Sequence, residues 1–198
     1  MRGMMKYKEY VELQISSPVK KPWKARVGQR KAIDWFFLHV YKDVHILDVG
    51  CALGTGMEHL HKLGFKNVVG IELHPKKVEI CKRRGLDVKH EDIETLYPFK
   101  GWFDVIWASH VFEHLFNPDE TMHNLLQITQ DNALFFFVLP YPDLTPAQAH
   151  CSSTEIGLSI DDDGKTLIQW FENRGLDFIH KKFDDFREPE IWLQFRRR

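Results

Sequence analysis

The stretch from Ile46 to Gly56, Ile-Leu-Asp-Val-Gly-Cys-Ala-Leu-Gly-Thr-Gly, constrains the fold more than any other part of the chain. Ile46, Leu47 and Val49 make a short apolar strand that runs straight into a turn holding Gly50, Gly54 and Gly56. Glycines admit positive φ and let a ligand come close to the backbone. Thr55 and Glu58 have the spacing of a capping box, which predicts a helix beginning at Thr55. A strand that passes through such a turn into a helix leaves backbone N–H groups facing outward at its carboxyl end. Open α/β sheets bind nucleotide-like ligands there.

The alternation continues. Asn67–Leu73 reads as a second strand ending on an acid, Glu72, and one carboxylate at a strand tip suits the two hydroxyls of a ribose. Leu86–Lys89 reads as a third strand, after which Asp92 stands where a loop can accept from an adenine amino group. Phe103–Ser109 and the wholly apolar Ala133–Leu139 follow as strands, the second patterned for burial on both faces. Leu176–Lys182 and Glu190–Phe195 end the chain as an antiparallel hairpin. Helices are predicted at Arg26–Tyr41, at Thr55–Leu63, from His74-Pro75 to Gly85, from Asn117 onward, and at Asp162–Arg174. Asn117 is a cap, Pro118 takes the first helical position, and Asp119 and Glu120 fill the first turn. Strands alternating with helices predict a parallel sheet covered on both faces.

In this order the motifs resemble the class I S-adenosylmethionine-dependent methyltransferases, small-molecule type. The resemblance rests on Asp48, Gly50 and Gly54 in a pattern close to D-x-G-x-G-x-G, with Ala52 in place of the middle glycine. It rests also on Glu72, on Asp92-Ile93, and on Ser109-His110-Val111-Phe112-Glu113-His114-Leu115 after the fourth strand. It implies a Rossmann-like, doubly wound, seven-stranded and mostly parallel sheet with one antiparallel strand and helices on both faces. It also implies S-adenosyl-L-methionine as cofactor. The implied cofactor residues are Asp48, Gly50, Cys51, Ala52, Gly54 and Thr55 at the turn, Glu72 and Leu73 at the ribose, and Asp92 and Ile93 at the adenine. Ser109, His110, Glu113 and His114 stand at the tip of the fourth strand, where the methyl group should lie. Either Arg26 or Arg30 meets the methionine carboxylate.

The 198 residues predict an N-terminal arm, 1–25, before one methyltransferase domain, 26–198. Glu9–Ile15 alternates weakly, and a basic run around Trp23 gives the arm either a solvated role or that of a flap over the ligand site. A net charge of −1 argues against bulk nucleic-acid binding. Cys51, Cys81 and Cys151 are odd in number and lack C-x-x-C spacing, which predicts a reduced, cytoplasmic protein with no metal knuckle. No apolar run is long enough to span a bilayer. The expected partner is a small-molecule acceptor.

Methyl transfer from a sulfonium needs alignment more than acid–base machinery. A base is required only for an acceptor that starts protonated, and His110 or His150 is the candidate catalytic residue. His150 lies in Pro140–Ile160, a proline-rich segment long enough to be a lid or substrate loop. Trp23, Trp102 and Tyr141 are candidates to line an aromatic acceptor pocket, and Glu113 and His114 to shape its wall. Three other readings compete. One is a zinc hydrolase through His110, Glu113 and His114, which match H-x-x-E-H. Another is a dinucleotide-dependent oxidoreductase, whose G-x-G-x-x-G spacing is not met. The last is a cofactor-binding member without turnover.

Overall fold

The computed structural model describes residues 6–16, 19, 23–95, 103–147 and 149–198, with the backbone alone for residues 23–26. Two helices, α1 (Tyr7–Ile15) and α2 (Trp23–Phe36), precede the sheet. Then come β1 (His45–Val49), α3 (Thr55–Lys62), β2 (Asn67–Glu72), α4 (Pro75–Arg83), β3 (Val88–His90) and β4 (Phe103–Ser109). The second half holds α5 (Pro118–Ile128), β5 (Thr129–Pro140), α6 (Lys165–Glu172), β6 (Leu176–Asp184) and β7 (Glu190–Arg197). The seven strands lie in the order β3-β2-β1-β4-β5-β7-β6. Neighbours from β3 to β5 are parallel, and β7 runs antiparallel between β5 and β6. This is the architecture the sequence predicts.

Strand alternation sends successive side chains into two cores. Ile46, Val105, Trp107, Phe136 and Trp192 face α2, α3 and α4, where Ile33, Met57 and Val78 close the layer. Leu47, Ile106, Phe135, Phe137 and Leu193 face α5 and α6, against Leu125 and Phe171. Aromatic stacking ties each layer to the sheet: Phe36 lies on Phe136 at 4.8 Å between ring centroids, and Phe171 on Phe137 at 4.4 Å. β1, β2, β3 and β4 all end at one edge, so the turns that follow them meet there.

Several local expectations need correction. Glu9–Ile15 is not an alternating strand but most of α1. The Thr55–Glu58 capping box does not form. Gly54 is the cap residue, at φ 72°, which makes Thr55 the first helical residue, and Glu58 ion-pairs with Arg84 instead. α2 stops at Phe36, short of Tyr41, and α6 is confined to Lys165–Glu172. The Asn117 cap does form, accepting from the Glu120 amide at 3.2 Å. Among the described residues no helix is long and apolar enough to cross a membrane.

Candidate active site

A cavity of about 440 Å³ opens at the edge where β1 to β4 end. The turn after β1 forms its floor. Gly50, Ala52 and Gly54 all take left-handed backbone, at φ 64°, 50° and 72°. At Gly54 a side chain has no space as well, since a Cβ would fall 2.2 Å from Leu86 Cδ1. The turn is tied to its neighbours: the Cys51 amide donates to Ile71 O at 3.0 Å, Cys81 Sγ to Ala52 O at 3.4 Å, and Arg84 to Leu53 O. Glu72, at the tip of β2 and 8% exposed, accepts from the Ala52 amide at 2.9 Å and from the His74 amide at 2.8 Å. Each oxygen keeps a lone pair beyond these bonds, so the carboxylate can fix the turn and still take a hydroxyl pair.

The loop after β3 closes the far wall. Asp92 accepts from the Glu94 amide at 2.9 Å through Oδ1, and Tyr7 of α1 donates its hydroxyl to Oδ2. Glu94, buried, accepts from the amides of Phe116 and Asn117 and so joins this loop to the one after β4. Burial raises the Glu94 pKa above the ordinary carboxylate range, against the lowering effect of its hydrogen bonds. α1 lies across the opening. Tyr10, Leu13 and Gln14 line the cavity, Tyr7 and Tyr10 pack on Phe116, and Gln14 Nε2 donates to Ala149 O at 3.2 Å.

At the tip of β4 the chain turns through His110, which stands at φ 56°. Its ring is held between carboxylates, Nδ1 at 3.1 Å from Glu113 Oε1 and Nε2 at 3.1 Å from Glu190 Oε1. Burial lowers the His110 pKa, but Glu113 and Glu190 outweigh it and raise it above the usual histidine range. Burial likewise raises Glu190, but His110 and Arg187 overcome this and hold it at about 2. Glu113 is wholly buried, and its pKa is lowered because His110 and His114 outweigh desolvation. His114 lines the cavity, and its Nδ1–H donates to Ala149 O at 3.0 Å, which leaves Nε2 of the neutral ring as an acceptor. His150 sits behind it, edge to face at 4.9 Å between centroids, with Nδ1 on Asp143 Oδ2 at 2.8 Å.

Of the residues proposed from sequence, Gly50, Ala52, Glu72, Leu73, Asp92, Ile93, Ser109 and His110 line the cavity. Asp48, Cys51, Gly54, Thr55 and Glu113 are buried and lie outside its wall. His150 is not on the wall either. Tyr141 is buried with its hydroxyl on Ile160 O at 2.8 Å, away from this cavity. Trp102 and the side chains of Trp23 and Arg26 lie outside the described residues. Arg30 is exposed on α2 and does not reach the cavity. The H-x-x-E-H match does not form a helical pair, because Phe112–His114 is a single 3-10 turn that His110 precedes. Glu113, His114 and His150 bring ligand-type atoms within 4.8 Å of one another, but both rings already spend Nδ1 on protein acceptors. His114 lines the wall as the sequence predicts, whereas the sequence reading missed the α1 contacts and Arg187, which reaches the wall from the turn between β6 and β7.

A family model described as a methyltransferase domain matches residues 47–137. A ubiquinone biosynthesis O-methyltransferase of Colwellia psychrerythraea is 27% identical over 156 residues, 70% of this chain and 63% of that protein. An ajmaline N-methyltransferase of Rauvolfia serpentina is 24% identical over 140 residues, 66% of this chain and 47% of that protein. The chain therefore spans less than two thirds of the length of these curated relatives. Among solved structures, the cyclase SpnF superposes with a TM-score of 0.71 at 14% identity, over 91% of this chain and 85% of that one. The N-methyltransferase NodS of Bradyrhizobium japonicum, in complex with S-adenosyl-L-homocysteine, gives 0.68 at 15% identity, over 94% and 96%. The matched methyltransferase-domain model runs from β1 into β5, and the chain shares the seven-stranded fold of the N-methyltransferase NodS.

Proposed function

We propose that this protein transfers a methyl group from S-adenosyl-L-methionine to a small-molecule acceptor. One observation carries the reading: a glycine turn gripped by Glu72 shares a single cavity with Asp92 and with the tip of β4. The bound donor supplies an electrophilic methyl on a charged sulfur. The chain's own groups position and shield it. Glu72 takes the ribose hydroxyls, Asp92 and Ile93 take the adenine, and the left-handed turn lets the methionine end approach the backbone. Leu13, Val111 and Leu115 give the wall an apolar part that excludes water.

In this reading His110, its pKa raised by Glu113 and Glu190, is held between two carboxylates and stabilises the site. The base for a hydroxyl acceptor is His114, which lines the cavity with Nδ1 committed to Ala149 O and Nε2 3.8 Å from the buried carboxylate of Glu113, placed to stabilise the imidazolium that forms. Residues 26–198 form the methyl-transfer domain, and the preceding arm closes on it through α1. The charge balance and three cysteines outside any disulfide support a cytoplasmic protein acting on a metabolite. Because a cyclase shares this fold, turnover has to be measured directly. Calorimetry with S-adenosyl-L-homocysteine tests the donor site, and methyl-labelled donor incubated with fractionated metabolite extracts tests transfer. Absence of donor binding at millimolar concentration would overturn the reading.

A further inference from the structure

The turn between β6 and β7 places Arg187 against the cavity, with its side chain 9% exposed. A guanidinium keeps its charge at all working pH values and presents five donors in a rigid fork. One edge of this fork is committed, since Nε donates to Glu190 Oε1. That carboxylate is itself fully engaged: the same oxygen takes His110 Nε2 at 3.1 Å, and Oε2 takes Trp192 Nε1 at 3.0 Å. Glu188, 52% exposed, approaches Arg187 Nε at 3.8 Å. Nη2 is buried and has no hydrogen-bond partner among the described residues. Leaving a buried charged donor unmatched is expensive, so such an atom on a residue of the cavity wall marks a place where a ligand completes the pairing. The stem is preset as well. It packs over Gly28 of α2, where an added Cβ would stand 3.4 Å from Arg187 Cβ.

Position says which ligand. The donor-side groups Ala52, Glu72 and Asp92 stand at or just beyond the tips of β1, β2 and β3, one half of the sheet. Arg187 comes from the turn leading into β7, which lies beyond β5 in the other half, and it shares Glu190 with His110 at the tip of β4. We propose that Arg187 Nη2 anchors a carboxylate on the methyl acceptor, so that this site takes carboxylate-bearing small molecules. A charge-assisted N–H···O bond from a guanidinium held in a fixed plane is directional in a way that a freely rotating ammonium is not. The proposal rests on the methyl-transfer reading for the word acceptor, while the anion anchor stands on the geometry of Arg187 alone.

The test titrates matched acid and amide probes, benzoate against benzamide and hexanoate against hexanamide, into the protein saturated with S-adenosyl-L-homocysteine. Each acid should bind at least fivefold more tightly than its amide. Arg187→Gln should erase that preference while leaving S-adenosyl-L-homocysteine affinity within twofold, and Arg187→Lys should recover it only in part. Equal binding of acid and amide to the wild-type protein overturns the proposal without any variant having to fold. An acid preference that survives in Arg187→Gln overturns it too. A tenfold loss of S-adenosyl-L-homocysteine affinity in Arg187→Gln, with methylthioadenosine affinity unchanged, would move the carboxylate to the donor and overturn the assignment to the acceptor. If the wild-type protein binds no S-adenosyl-L-homocysteine, the methyl-transfer reading fails separately, and the probes titrated into the protein alone still report on Arg187.

Discussion

Glu72 accepts the backbone amide of Ala52 at 2.9 Å and so fixes the glycine turn from a strand away. The same carboxylate takes the His74 amide at 2.8 Å and starts the loop into α4. Its structural role is therefore set by two amides, the proposed ribose role adds to it, and the two can be separated. Glu72→Ala should weaken S-adenosyl-L-homocysteine binding by about 1–3 kcal/mol and also lower the melting temperature, because two buried amides lose their acceptor. Glu72→Gln keeps one acceptor oxygen and should recover part of the stability but little of the affinity. Calorimetry and thermal melts on both variants read the split. Unchanged affinity in Glu72→Ala would contradict the ribose role.

Ala52 occupies the middle-glycine position at φ 50°, a conformation that costs a residue with a Cβ about 1–2 kcal/mol. Ala52→Gly should relieve this strain, but the freer unfolded chain offsets roughly 0.5–1 kcal/mol, so the net gain is about 1 kcal/mol or less. Ala52→Val should behave quite differently. A β-branched side chain at positive φ is a backbone outlier, and the loss should exceed about 2 kcal/mol. Urea denaturation of the three proteins measures both differences. Equal stability of the alanine and valine forms would show that the turn relaxes out of the left-handed region.

Much of this arrangement is legible in the sequence, because strand tips that carry acids after apolar runs declare themselves locally. Glu72 and Asp92 are found that way. What escapes is whatever depends on partners distant in the chain. α1 has only Tyr10 fully buried, so its nine residues lack a wide apolar stripe, and docking on Asp92, Glu94 and Phe116 decides its conformation. Thr55 has the residue type and spacing of a cap, yet the left-handed Gly54 before it moves the cap position by one residue. Arg187 lies in Asp185-Phe186-Arg187-Glu188, which reads as an ordinary polar hairpin turn until β7 is placed between β5 and β6.

Tyr7 gives a third prediction. Its hydroxyl donates to Asp92 Oδ2, the acceptor assigned to the adenine amino group. Donor binding must then replace one hydrogen bond with another, and a typical bond of this kind is worth about 1 kcal/mol net. Tyr7→Phe should therefore bind S-adenosyl-L-homocysteine about fivefold more tightly while α1 stays docked through Tyr10 and Gln14. Tyr10→Ala removes part of the cavity wall and should weaken binding. If Tyr7→Phe binds more weakly instead, the tyrosine stays on Asp92 in the complex and the adenine lies elsewhere.

The His110–Glu190–Arg187 cluster makes stability depend on pH in two separate windows. Glu190 is held at about 2, below its ordinary value, by His110 and Arg187 acting against burial. A carboxylate lowered in the folded state contributes stability above its unfolded pKa and loses it as pH falls through the folded one. Wild-type stability should thus drop between about pH 4.5 and pH 2 by up to roughly 3 kcal/mol more than that of Glu190→Gln. His110 has the opposite sign. Its folded pKa is raised by Glu113 and Glu190, so its contribution is complete below the ordinary histidine pKa and disappears as pH rises through the raised value. His110→Gln should accordingly be destabilised relative to wild type at pH 6 and approach it as the pH rises. Urea denaturation midpoints from pH 3 to pH 10 for the three proteins separate the windows. A His110→Gln deficit that grows with pH would mean that the ring is neutral in the folded protein, and it would return His110 to the list of candidate bases.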